Sequence, residues 1–242
     1  MFSVSASRKR GITETTETRL WAIDKDGTNA IHIVKPSRIS RTGSSLGRDL
    51  APAQLQDDVI HWLPDEPNFI LVALDGDHNG ADEVRRIDIR GGDFNIVRHD
   101  RVGIQDWLTD QSRNLRFGWG YRNSAFRVPT KNDKGQWRYA EKAAWWDAGL
   151  FPLGFSDVPD IVYMRGPDEN GFRVIRTTDI TPVEILETVF QKGGYDAGSL
   201  VLDPVTQLPV GVRYIDHATK IHYFDESLAA LQARLMRSSR IL

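Results

Sequence analysis

His61-Trp62-Leu63-Pro64-Asp65, followed closely by Phe69-Ile70-Leu71-Val72-Ala73-Leu74, is the stretch from which the fold can be read. An apolar or aromatic anchor leads into a turn of Pro and Asp, and the turn into six consecutive apolar residues. That run is too short for a helix, and its turn residues bound it as they bound a strand buried on both faces. The same order recurs at Asp106-Trp107-Leu108-Thr109-Asp110 before residues 115–121, at Gly154-Phe155-Ser156-Asp157 before 161–165, and at Val201-Leu202-Asp203-Pro204 before 210–215. The anchors Trp62, Phe155 and Leu202, with Trp107 between the first two, are 45, 48 and 47 residues apart.

A second hairpin signal follows each of the first three pairs. Residues 85–89 turn at Gly91-Gly92 into 94–97, residues 126–128 turn through Asn132-Asp133-Lys134-Gly135 into 137–139, and residues 172–175 turn through Asp179 and Pro182 into 183–186. The fourth unit reaches only 221–224, and a lone hairpin stands in front, Leu20-Trp21-Ala22-Ile23-Asp24 turning at Lys25-Asp26-Gly27 into 30–34. Four short antiparallel strands at this spacing give the period of a β-propeller blade. A sandwich or barrel would show similar turns but would have no reason to repeat anchor and turn in register.

The expectation is an all-β fold, a β-propeller of about four blade-like repeats plus a leading hairpin, either closing on itself or forming part of a larger ring, with a short C-terminal helix. Residues 1–18 read as a disordered or irregular N-terminus, 19–225 as the blades with an insertion at 36–58, and 226–242 as a helix or linker. Asp225-Glu226-Ser227 looks like a helix start, and Leu228, Leu231 and Leu235 share one helical stripe that needs something to bury against.

Composition narrows the function classes. With 31 basic and 33 acidic residues the formal net charge is -2, which supplies no positive field for a nucleic-acid backbone. The chain has no cysteine, which removes disulfide scaffolds, thiolate metal sites and cysteine nucleophiles. No apolar run is long enough to span a bilayer, and residues 1–10 do not read as a signal peptide, so the expected compartment is the cytoplasm if the N-terminus is native.

Three constellations could carry chemistry. Gly43-Ser44-Ser45-Leu46-Gly47 matches the G-x-S-x-G elbow of α/β-hydrolases, with Asp216-His217 as the one tempting pair of partners, but polar residues 37–42 replace the buried strand an elbow needs, and a Ser/Gly loop explains the match better. Asp75-Gly76-Asp77-His78-Asn79-Gly80 supplies the alternating oxygens of half a calcium loop at Asp75, Asp77 and Asn79, although Arg86 stands where the helical version places a bidentate Glu. A solvated hairpin turn uses the same residues. No cofactor is required, and calcium is the one ion whose donors the sequence assembles. The aromatics Trp137, Tyr139, Trp145, Trp146, Phe151 and Phe155 could stack a peptide or sugar, but packing between blades accounts for them more simply. The six histidines show no metal-ligand spacing.

The stretches Arg19-Leu20-Trp21-Ala22-Ile23-Asp24-Lys25-Asp26-Gly27, His61-Trp62-Leu63-Pro64-Asp65, Ala81-Asp82-Glu83-Val84-Arg85-Arg86-Ile87-Asp88, and Leu202-Asp203-Pro204-Val205 with Gly211-Val212-Arg213-Tyr214 carry a resemblance. From about Arg19 to Leu235 the chain resembles the N-terminal β-propeller of bacterial prolyl-oligopeptidase-type serine peptidases. In that family the propeller caps a C-terminal α/β-hydrolase domain bearing Ser, Asp and His, and it restricts access to short peptides. No hydrolase domain lies within these residues, so none of the family's catalytic residues has a position to be carried onto. The resemblance therefore implies a non-catalytic, substrate-gating module whose partners are an α/β-hydrolase domain, in cis or in trans, and a peptide substrate. The alternative is a free-standing propeller that binds a protein or peptide partner, stiffened by calcium.

Overall fold

The computed structural model describes residues 2–10, 13–36, 38–39, 48–49, 52–99, 103–122, 125–131, 135–140, 149–180 and 184–238. The fold is a β-propeller built from five small antiparallel sheets with one short helix. The first sheet is β1 (Phe2–Arg10), β2 (Thr13–Ala22) and β3 (Ile31–His32). A two-residue ladder joins β4 (Arg38–Ile39) to β5 (Arg48–Asp49). The second sheet is β6 (Asp58–His61), β7 (Phe69–Leu74), β8 (Glu83–Asp88) and β9 (Phe94–Arg98), and the third is β10 (Ile104–Thr109), β11 (Leu115–Arg122), β12 (Ala125–Lys131) and β13 (Trp137–Ala140). The fourth is β14 (Phe151–Phe155), β15 (Ile161–Pro167), β16 (Arg173–Asp179) and β17 (Glu184–Phe190). The fifth is β18 (Ala197–Leu202), β19 (Pro209–Asp216) and β20 (Ala218–Tyr223), after which comes α1 (Glu226–Ser238).

The chain divides into two compact units, residues 1–108 with 115–141, and residues 109–114 with 142–242. In the first unit, Leu20, Ile33 and Val34 of the leading sheet's segment pack against Ile70, Val72, Leu74 and Ile87 of the second sheet. The opposite face of the second sheet, through Leu71, Ala73 and Val84, meets Ile104, Trp107 and Leu115 of the third. β7 is therefore covered on both sides, which is why its six residues are all apolar instead of alternating with polar ones. The outermost strand β9 is mostly exposed. In the second unit Ile175 and Phe190 pack on Ala197 and Val212, and the Tyr163 ring stacks on Phe224 at 5.5 Å. There too the last strand of the four, β17, is largely solvated.

Three of the repeated anchors, Trp62, Phe155 and Leu202, lie at the first hairpin turn of a sheet, whereas Trp107 sits inside β10, before its turn. After Trp62 the Leu63 carbonyl accepts the Glu66 N–H at 2.8 Å, and Leu63 itself takes the left-handed conformation at φ 46°. In the β14–β15 turn the Ser156 hydroxyl accepts the Val158 N–H at 3.0 Å. In the β18–β19 turn Asp203 Oδ1 accepts the N–H groups of Val205 and Thr206 at 2.9 and 2.7 Å. Asp and Ser recur there because their side-chain oxygens close such turns.

The N-terminus corrects an expectation. Residues 1–18 were expected to be irregular, yet Phe2 to Arg10 pairs with Thr13 to Trp21 in a continuous antiparallel register. The β1–β2 hairpin makes the leading unit a three-stranded sheet, giving five sheets in place of four repeats and a loose hairpin. The stretch Phe2-Ser3-Val4-Ser5-Ala6-Ser7 alternates apolar and polar residues as a strand does, a signal weakened by the small side chains of Val4 and Ala6 and by the basic residues 8–10 that follow. The insertion is pinned at its end: the Thr18 N–H donates to the Gln54 carbonyl at 2.9 Å, and the Thr18 hydroxyl donates to Asp57 at 2.6 Å.

Candidate functional site

The β7–β8 connection carries the proposed calcium residues and holds them as a self-satisfied turn. Asp75 Oδ1 accepts the Asn79 N–H at 2.9 Å, and Asp75 Oδ2 accepts the Gly80 N–H at 3.1 Å. The Asn79 amide donates to Asp77 Oδ2 at 3.1 Å, while its oxygen accepts the Ala81 N–H at 2.8 Å. His78 and Gly80 both take positive φ, 59° and 81°. The oxygens of Asp75, Asp77 and Asn79 are thus directed into the turn's own hydrogen bonds. Among the described residues no group of three or more His, Asp or Glu side chains is placed to hold a metal ion.

Beneath this turn lies a charged cluster: the string Asp82-Glu83-Val84-Arg85-Arg86 reads from sequence as cross-strand pairs on a solvated face, but Glu83 and Arg85 are buried. The Arg85 guanidinium pairs with Glu83 at 2.5 Å, donates to the Lys35 carbonyl at 2.8 Å and lies 4.0 Å from the centre of the Phe94 ring. His99 stands 3.1 Å from Glu83 and 3.7 Å from Asp77. Gly76 leaves space for this pair, since a Cβ at that position would stand 2.1 Å from the Arg85 guanidinium.

A second group of carboxylates gathers where the second and third sheets meet. The Asp82 N–H donates to the Ile104 carbonyl at 2.7 Å, and the Trp107 indole donates to the Asp82 carbonyl at 2.9 Å, which ties the β7–β8 loop to β10. Burial pushes the Asp82 carboxyl up to about 7, helped by the charges of Asp58, Asp75 and Asp106. Burial also raises Asp58, to about 6, with Asp106 and Asp57 adding to it, and it raises Asp106. Asp58 and Asp106 nevertheless keep water-accessible surface, so their loss of hydration is partial. Among the described residues no ion pair joins a basic side chain to Asp58, Asp82 or Asp106. Asp58 and Asp106 occupy different places relative to their anchors Trp62 and Trp107, so no repeat position marks them as a set.

In the second unit the stripe expected from sequence is present on α1. Asp225 caps the helix, accepting the Ser227 hydroxyl and the Ser227 and Leu228 N–H groups, the latter two at 2.8 and 3.0 Å. The Ser227 hydroxyl, followed by the Leu228 N–H, holds the Asp225 carboxyl below the ordinary range. Leu228, Leu231, Leu235, Met236 and Gln232 line an apolar groove of about 470 Å³ against Tyr223. Leu231 and Leu235 remain half or more exposed.

The hydrolase-elbow match at Gly43 to Gly47, with Ser45, lies outside the described residues, as do Trp145 and Trp146. Of the partners suggested for Ser45, Asp216 accepts the Lys220 ammonium at 2.7 Å, and His217 projects into solvent from the β19–β20 turn at φ 55°. The remaining described aromatics divide. Trp137 packs edge-on against Trp107 at 5.7 Å and Phe155 is buried, whereas Phe151 is 43% exposed.

No family model matches the sequence, and no curated protein is significantly similar to it. The class is therefore set by architecture: the chain is a β-propeller of small antiparallel sheets with a capped, amphipathic C-terminal helix.

Proposed function

We propose that this β-propeller is a non-catalytic module that docks on an α/β-hydrolase domain, in cis or in trans, and gates peptide access to it, as in the prolyl-oligopeptidase-type peptidases its sequence resembles. The observation that carries the reading is α1, whose Leu231 and Leu235 stay exposed beside the groove at Tyr223 although the helix is capped and formed. Exposed leucines at this spacing gain free energy only when another surface covers them. The repeat architecture and the motifs quoted above supply the kind of partner, and the propeller's part in the chemistry is steric selection.

The test is made in the coding DNA beyond the codon for Leu242. The expected result is a hydrolase domain with a strand-embedded G-x-S-x-G serine, in the same reading frame or in a neighbouring one. Finding no such domain in either place overturns the gating reading. The groove would then belong to a free-standing module that takes a protein or peptide partner.

A further inference from the structure

We draw no further inference here: the strongest candidate, the cluster of Asp58, Asp82 and Asp106 where the second and third sheets meet, consists of carboxylates alone, and no second feature of the structure points to what they would hold.

Discussion

Arg85 Nη2 stands 2.5 Å from Glu83 Oε1, and both side chains are sealed from water, at 1% and 4% exposure. Burying an ion pair costs hydration on both sides, and the loss is repaid only when geometry and further hydrogen bonds are good. Here the Lys35 carbonyl and the Phe94 ring complete the guanidinium's surroundings, while His99 faces the other Glu83 oxygen.

Removing one partner leaves the other as an uncompensated buried charge. Arg85→Leu is therefore expected to cost about 3–5 kcal/mol in urea unfolding, and Glu83→Leu a similar amount, whereas the double variant should recover most of the loss. Additive losses in the double variant would show that the two charges are not coupled.

Gly76→Ala presses the same pair from above. The added methyl would meet the guanidinium at 2.1 Å and the Glu83 carboxylate at 2.4 Å, so the buried pair must shift to admit it. Overpacking of this kind costs about 1–3 kcal/mol. The loss should shrink in the Glu83→Leu, Arg85→Leu background, because the groups that clash are gone. An unchanged melting temperature for Gly76→Ala in the wild-type background would contradict the packing described.

The carboxylates of Asp58 and Asp82 set a pH dependence of definite sign. Their folded values, about 6 and about 7, lie above the ordinary 3.8, so the folded state binds more protons than the unfolded chain across about pH 4 to 7. Their contribution is most favourable below that window and is lost as pH rises through it. Asp203, Asp216 and Asp225 are shifted the opposite way, so what they contribute is lost only on acidification below the ordinary carboxylate range. Allowing for solvent screening at Asp58, Tm should fall by about 2–4 °C between pH 5 and pH 8. Asp82→Asn should flatten the slope and raise Tm at pH 8. A Tm that climbs over this range, or a slope unchanged by Asp82→Asn, would contradict the upward shift of these carboxyls.

The blades were legible because burial on both faces forces a continuous apolar strand such as Phe69–Leu74, and because Asp or Ser closes the turns that follow the anchors. The helix was legible from Asp225 and the leucine spacing. β1 was only faintly legible: Phe2, Val4 and Ala6 alternate with Ser3, Ser5 and Ser7, but its hairpin partner β2 opens on the polar Thr13-Glu14-Thr15-Thr16-Glu17-Thr18, which offers no apolar face to match. The carboxylate cluster was not legible: Asp58, Asp82 and Asp106 come from two strands and a loop, and their proximity arises only when Asp82 is tied to Ile104 and Trp107.

The β7–β8 turn offers a direct measurement on calcium. With Asp75 already accepting two backbone N–H groups, the expected outcome is that millimolar calcium leaves Tm unchanged, while Asp75→Ala lowers it with or without the ion. A calcium-dependent rise in Tm that vanishes in Asp77→Ala would instead make Asp75, Asp77 and Asn79 a cation site.

The central claim is that α1 is a docking element. The measurement that tests it most directly, once the coding DNA beyond Leu242 yields a hydrolase domain, is co-purification of the chain with that domain, for the wild type and for Leu231→Glu/Leu235→Glu, with circular dichroism confirming that both are folded. When hydrolase and propeller share one polypeptide, susceptibility of the junction to limited proteolysis replaces co-purification as the readout. The account predicts that the wild type stays assembled and that the folded variant separates, or is cut at the junction, and loses its selectivity for short peptides. A folded variant that remains assembled and selective would contradict it.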